Sequence, residues 1–141
     1  MSKNCRFTVA VHVCALLAHN NGEPGTSEWI AESVNTNPVV IRRTLSALAK
    51  AGLVRSWRGS NGGSVLTRPP RAISLAEIYR AVDDSEGPAL HQQPPKANCP
   101  IGAHIQPVLT GMIAEAEAAR ERIFMTQSLA DVMSSIRKRA A

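Results

Sequence analysis

The residues best suited to chemistry lie between positions 37 and 63. Asn37, Arg42 and Arg43 bring amide and guanidinium donors into one short stretch, with Val39 and Val40 between them. On a nucleic acid, Asn and Arg can contact base edges or phosphates, and Val can meet a thymine methyl. A second basic group follows. Arg55 and Arg58, with Arg68 beyond, flank the loop GSNGGS, in which Gly59, Asn61, Gly62 and Gly63 let a tight hairpin tip approach a sugar-phosphate backbone closely. An arginine at such a tip suits the narrow minor groove, where negative potential is enhanced. The loop lacks the lysine of a phosphate-cradling P-loop and the helix that follows one, so nucleotide binding is set aside.

The remaining chemical groups are sparse. Cys5, Cys14 and Cys99 are odd in number, far apart and without a CxxC pair, which excludes a disulfide framework or a zinc finger and fits a reducing compartment. Cys99 precedes Pro100, where a helix is expected to start and its dipole would favour the thiolate, so Cys99 is the first candidate for a redox thiol. Cys14, on an apolar helix face, is the second, and reads equally well as packed core. His12, His19, His91 and His104 have no metal-ligand spacing. With no carboxylate pair and no nucleophile beside a base at local spacing, an enzyme is not expected. Neither is a metal or other cofactor.

At 141 residues the chain suits one compact domain plus one extra element. Its formal charge of +5 favours a polyanionic partner. Aromatic residues make up 4% and hydrophobic residues 44%, mostly aliphatic, which suits small helices packed on one another. The apolar run from Phe7 to Ala18 follows Lys3 and Arg6, like a signal peptide, but it is broken by His12 and Cys14 and is too short to cross a bilayer. It reads as a first helix over 3–19.

The elements that must position the basic residues follow from periodicity and caps. Thr26 or Ser27 caps a short second helix that stops by Asn35. Asn37 and Pro38 start a third over 38–51, with Ile41, Leu45 and Leu48 on one face and Val39, Arg43, Ser46 and Lys50 opposite. Strands over 53–58 and 64–68 form a hairpin, and Ser74 with Glu77 caps a fourth helix over 74–83. A polar, proline-rich loop follows. From Pro100 a long helix carries Ile101, Ile105, Val108, Met112, Ala116, Ala119 and Ile123 in one stripe, with Pro107 expected to kink it. Ser128 and Asp131 cap a last helix that ends in Arg137-Lys138-Arg139.

Helix two, a tight turn at 35–37, and a third helix apolar inward and basic outward make a helix-turn-helix, with the hairpin as its wing. The fold class is therefore mainly α with a small β-hairpin: a winged helix-turn-helix domain over 1–83, an exposed loop over 84–99, and a long helix plus C-terminal helix over 100–141. The turn aims Asn37, Val39, Val40, Arg42 and Arg43 at the major groove of double-stranded DNA. The long stripe would serve a second copy of the chain or the helix of another protein, so a protein-interaction module is the alternative reading. No membrane association is expected, and the cytoplasm is the expected location.

The run TNPVVIRRTLSALAKAGLVRSWRGSNGGSVLTRPP over 36–70, ISLAEIYRAV over 73–82 and NCPIGAHI over 98–105 resemble the Rrf2 family of winged helix-turn-helix transcriptional regulators, of the IscR and NsrR kind. The resemblance covers essentially the whole chain. It implies a homodimer crossed over the long helices, with Ile105, Val108, Met112, Ala116, Ala119 and Ile123 at the interface and two recognition helices presented to a pseudo-palindromic operator, as in a repressor. Cluster-binding members carry three closely spaced cysteines in the loop before the long helix, where this chain has only Cys99. It is therefore similar to the cluster-free branch, some members of which respond to oxidants or electrophiles through thiols, an input that the resemblance permits without implying it. An iron-sulfur-dependent regulator would need atypical ligands such as His91, His104 or acidic residues.

Overall fold

The computed structural model describes residues 5–83 and 87–141. In chain order it has α1 (Arg6–His19), α2 (Ser27–Val34), α3 (Pro38–Lys50), β1 (Val54–Trp57), β2 (Gly63–Leu66), a 3-10 turn (Pro70–Ala72), α4 (Leu75–Val82), α5 (Ile105–Met125) and α6 (Leu129–Ala140). The expected start of the first helix at residue 3 lies outside the described residues, as do residues 84–86 of the expected loop. Cys5 is the N-cap of α1. The chain forms two compact units, one of Met1–Asp83 with Phe124–Ala141 and the other of Asp84–Ile123.

The core of the first unit gathers one face from each of its helices. Ala10, Val13, Cys14 and Leu17 of α1, Ile30 of α2 and Ile41, Leu45 and Leu48 of α3 are buried together with Leu53, Val54, Ile73, Ile78 and Leu129. Burying side chains of this size stabilises by about 1.5–3 kcal/mol each, so the positions that repeat every three or four residues along α1 and α3 set the packing.

Local capping explains where these helices begin and end. The Thr26 hydroxyl accepts from Trp29 N at 3.1 Å, and Asn35 ends α2 with φ +62°, a left-handed conformation that asparagine tolerates. Asn37 Oδ1 accepts from Val39 N at 2.8 Å and Pro38 takes the first helical position of α3. At the far end of α3, Gly52 has φ +79°, with Gly52 N donating to Ala49 O and Leu53 N to Leu48 O, both at 3.0 Å. This Schellman closure turns the chain straight into the hairpin.

β1 and β2 pair antiparallel, with Val54 opposite Leu66 and Trp57 opposite Gly63. β1 is shorter than the predicted 53–58 at both ends, and β2 begins one residue before the predicted 64–68, at Gly63, and stops at Leu66. A third short segment joins them: Gly25 and Ser64 exchange backbone hydrogen bonds at 3.0 and 2.9 Å. A Cβ on Gly25 would lie 2.8 Å from Leu17 Cδ2 and 3.1 Å from Trp29, so any side chain there would have to displace one of these two.

The C-terminal helix belongs with the first unit rather than with the long helix it follows in sequence. Leu75 N donates to Gln127 O, and Leu129 N to Ile73 O, both at 2.9 Å, which ties the starts of α4 and α6 together. Ser74 with Glu77 and Ser128 with Asp131 complete capping boxes at those two starts. Phe7, Tyr79 and Phe124 cluster beside them, with Phe7 stacked on Phe124 at 5.0 Å between centroids.

In the second unit, residues 87–104 contain no helix or strand. α5 starts at Ile105 rather than at Pro100, which corrects the expected boundary. Isolated turns bonded from Ala103 N to Cys99 O and from Ile105 N to Ile101 O precede it. Gly102 sits against the Lys96 carbonyl, where a Cβ would come within 2.6 Å. Because α5 starts late, Pro107 falls in its first turn, where the missing N–H leaves no bond unmade, so the expected kink in a second turn has no cause.

Arg68, just after β2, donates to Ala72 O at 2.9 Å and to Glu77 Oε2 at 2.5 Å, joining the wing's exit to α4. The Arg68 guanidinium, helped by the Ser74 backbone N–H, holds the Glu77 carboxyl below the usual carboxylate range. A carboxylate with a depressed folded pKa contributes stability above its unfolded pKa, and that stability fades as pH falls through the folded value. Glu77→Gln should lower Tm by a few degrees at neutral pH, and the gap to wild type should close as the pH falls from about 5 to 3. Thermal melts across that range check this, and a constant gap would contradict it.

Candidate nucleic-acid interface

α3 presents its polar face because its opposite face is fully used. Ile41 and Leu48 are 0% exposed and Leu45 is 6% exposed. Val39, Arg43, Ser46 and Lys50 share the other side, and all four are exposed. Asn37 and Val40 are also exposed at the helix start, although Asn37 Oδ1 is engaged in its cap bond. Arg43 has no charged partner among the described residues. Arg42 differs: its Nη2 lies 2.8 Å from Glu28 Oε2 at the start of α2. The two side chains are more than half exposed, so the pair contributes at most about 1 kcal/mol. Its effect is to aim Arg42 toward α2 rather than along the Arg43 stripe.

The wing stands beside this face. A groove runs between the start of α2, the Arg42–Ser46–Ala49 side of α3, and the wing residues Trp57, Arg58 and Gly62. Arg55 and Arg58 are exposed, as are Gly59 and Asn61. The glycines of the tip have separate causes. Gly59 takes φ +112°, a conformation closed to most side chains. A Cβ on Gly62 would come within 2.6 Å of Trp57 O, and one on Gly63 within 2.8 Å of Pro24 Cβ. Gly62 and Gly63 therefore also answer to neighbours within the chain, a reason beyond the positive φ and the close external approach for which the sequence suggests glycines here.

Two residues of this surface escape sequence reading. Glu28 is legible only once α2 and α3 are packed. Trp57 has a local signal: it lies two residues from Arg55 on β1, and alternate strand residues share a face. Arg55 Cζ indeed lies 5.3 Å from the Trp57 ring centroid.

The thiols separate clearly. Cys14 is 0% exposed within the core, and burial pushes its thiol up to about 12, far from a thiolate at neutral pH. Cys99 is half-buried in the turn before α5, not at the helix start, and its Sγ accepts from Gly102 N at 3.4 Å. Cys99 therefore lies outside the reach of the α5 dipole that the sequence suggests for it. Cys5 is exposed. Among the described residues no three His, Cys, Asp or Glu side chains gather as a metal site requires. His91 and His104 are both exposed.

In the second unit α5 buries none of its residues. Val108, Met112 and Ile123 are 52%, 59% and 56% exposed, Ala116 is exposed, and Ile105 and Ala119 are half-buried. Among the described residues no helix is long and apolar enough to cross a membrane.

Residues 3–135 match the model of the Rrf2 family, described as iron-dependent transcriptional regulators. YwnA of Bacillus subtilis strain 168, named as an HTH-type transcriptional regulator, is 41% identical over 133 residues, covering 94% of this chain and 98% of its own. A crystal structure described as that of a DNA binding protein is also 41% identical, with a TM-score of 0.74 over 91% of this chain and 98% of that one. CymR, the global cysteine regulator of B. subtilis, shares the fold at a TM-score of 0.67 and 23% identity, over 96% of this chain and 98% of its own.

The two adjacent arginines of α3 should behave differently on DNA. Arg43→Ala should weaken binding to a specific duplex by roughly 1–3 kcal/mol and a random duplex much less, whereas Arg42→Ala should weaken both alike. Fluorescence anisotropy with both duplexes checks this. Equal losses for Arg43→Ala on the two duplexes would remove it from base reading.

Proposed function

Because the chain belongs to the Rrf2 family of transcriptional regulators, we propose that it acts as a homodimeric repressor, binding a pseudo-palindromic operator in double-stranded DNA through α3 and the wing. Its relatives are regulators and not enzymes, and neither is this chain. The observation that carries the reading is the exposed stripe of Val39, Arg43, Ser46 and Lys50 set beside a wing with Arg55 and Arg58 exposed. Such a helix fits a major groove, and the flanking arginines fit phosphates or the adjoining minor groove. The cytoplasm is where this operator is met.

The homodimer draws its support from α5. A 21-residue helix with no buried residue and an apolar stripe is costly in water unless something covers it. A two-fold axis sets the same patch against itself, and places two recognition helices about 34–36 Å apart, one DNA turn.

The family description names iron, but the residues present do not fit an iron-sulfur cluster. A cluster takes several thiolate or imidazole ligands; here Cys14 is sealed in the core and Cys99 is the single cysteine of its unit. We therefore propose a cofactor-free regulator whose input, where it is redox, is read by Cys99.

Titration of the chain's own promoter region at several salt concentrations tests DNA recognition. The expected result is preference over random DNA with a log K against log salt slope of about −0.9 per phosphate contacted; no preference would overturn the reading. Met112→Glu should convert a dimer to a monomer in sedimentation while leaving the helical circular dichroism intact, and a dimer unchanged by that charge would remove the stripe from the interface. Oxidant should weaken operator binding by wild type and not by Cys99→Ser, whereas equal loss in both would discard Cys99 as the sensor.

A further inference from the structure

Trp57 is 39% exposed at the end of β1, an unusual place for the largest side chain of a two-stranded hairpin. It is not idle there. Its indole Nε1 donates to Asn61 O at 3.1 Å, spanning the tip loop from strand to far side. Its ring face carries the Arg55 guanidinium, with Cζ 5.3 Å from the centroid. Its own carbonyl lies 2.6 Å from where a Cβ on Gly62 would be, so the loop folds down tightly onto residue 57, and Gly62 N closes it on Gly59 O at 2.9 Å.

A hairpin of two short strands holds its tip weakly by ladder bonds alone. Stacking on an aromatic face restrains a guanidinium while leaving its in-plane N–H donors open to an anion. We propose that Trp57 is a positioning residue of the wing: it fixes the tip from Arg58 to Gly62 through Asn61 and presents Arg55 edge-on to a DNA phosphate. The proposal rests on the DNA-binding reading above, and gives the wing a preformed shape rather than one acquired on contact. Preorganisation of this kind improves affinity by removing the cost of ordering on binding.

Two variants separate the contributions. Trp57→Phe keeps a ring beneath Arg55 and removes the Nε1–H donor; Trp57→Leu removes both. In the DNA-free protein, amide relaxation of residues 58–62 should show an ordered tip in wild type and rising fast motion in both variants, with Tm changed little. On DNA, Trp57→Leu should weaken binding by about tenfold and flatten the salt slope by about 0.9, the loss of one phosphate contact. Trp57→Phe should keep the slope, because Arg55 keeps its platform. A merely structural tryptophan would lower Tm without moving the slope. An equally ordered tip in Trp57→Leu, or an unchanged slope, would overturn the proposal. Absence of any DNA binding by wild type would overturn the underlying reading instead, while the relaxation data would still decide whether the ring holds the tip.

Discussion

The burial of one face of α3 is the constraint on which the rest of this molecule depends. Ile41, Leu45 and Leu48 reach into a core built by α1, α2, α4 and the start of α6, and a helix locked at three points on one side has no freedom to rotate. The cap at Asn37 and the Schellman closure at Gly52 then determine where that helix starts and stops. Orientation, start and end together decide which side chains face outward. A large-to-small change at Leu48 would cost about 2–5 kcal/mol and loosen the exposed stripe with the core, although it lies on the opposite face.

The wing depends on the same frame. Leu53 and Val54 are core residues, so the hairpin leaves α3 already anchored. Gly25 and Ser64 then stitch β2 to the segment before α2, and Ser56 and Ser64 share a cross-strand hydroxyl hydrogen bond at 2.6 Å. Arg68 with Glu77 fastens the exit. The hairpin is thus held at both ends, and Trp57 governs the part that remains, the tip.

α5 obeys a different economy. The other helices bury at least one residue in the first unit, whereas α5 keeps its apolar stripe in solvent. Its last residues, Phe124 and Met125, belong to the first unit, where Phe124 stacks against Phe7 and Tyr79. Burial makes Cys14 a core residue, with its thiol sealed from solvent.

Much of this was legible in the sequence, because helix periodicity, caps and turn residues are local. Ile41, Leu45 and Leu48 mark a core face by spacing; Asn37-Pro38, Gly52, and the Ser74–Glu77 and Ser128–Asp131 pairs mark element ends; and the loop glycines mark a hairpin. The outward residues of α3 follow as the complement of its core face. What depends on distant partners was not legible. The start of α5 at Ile105, the return of α6 through backbone bonds to residues 73 and 75, and the diversion of Arg42 to Glu28 across a packed turn are of this kind. Sequence by itself determined the fold class, the outward residues of α3 and the basic residues of the wing, because these need only periods and propensities. Tertiary structure alone decided which arginine is free, which cysteine is sealed and what each wing glycine is for, because each answer depends on an atom that only folding brings near.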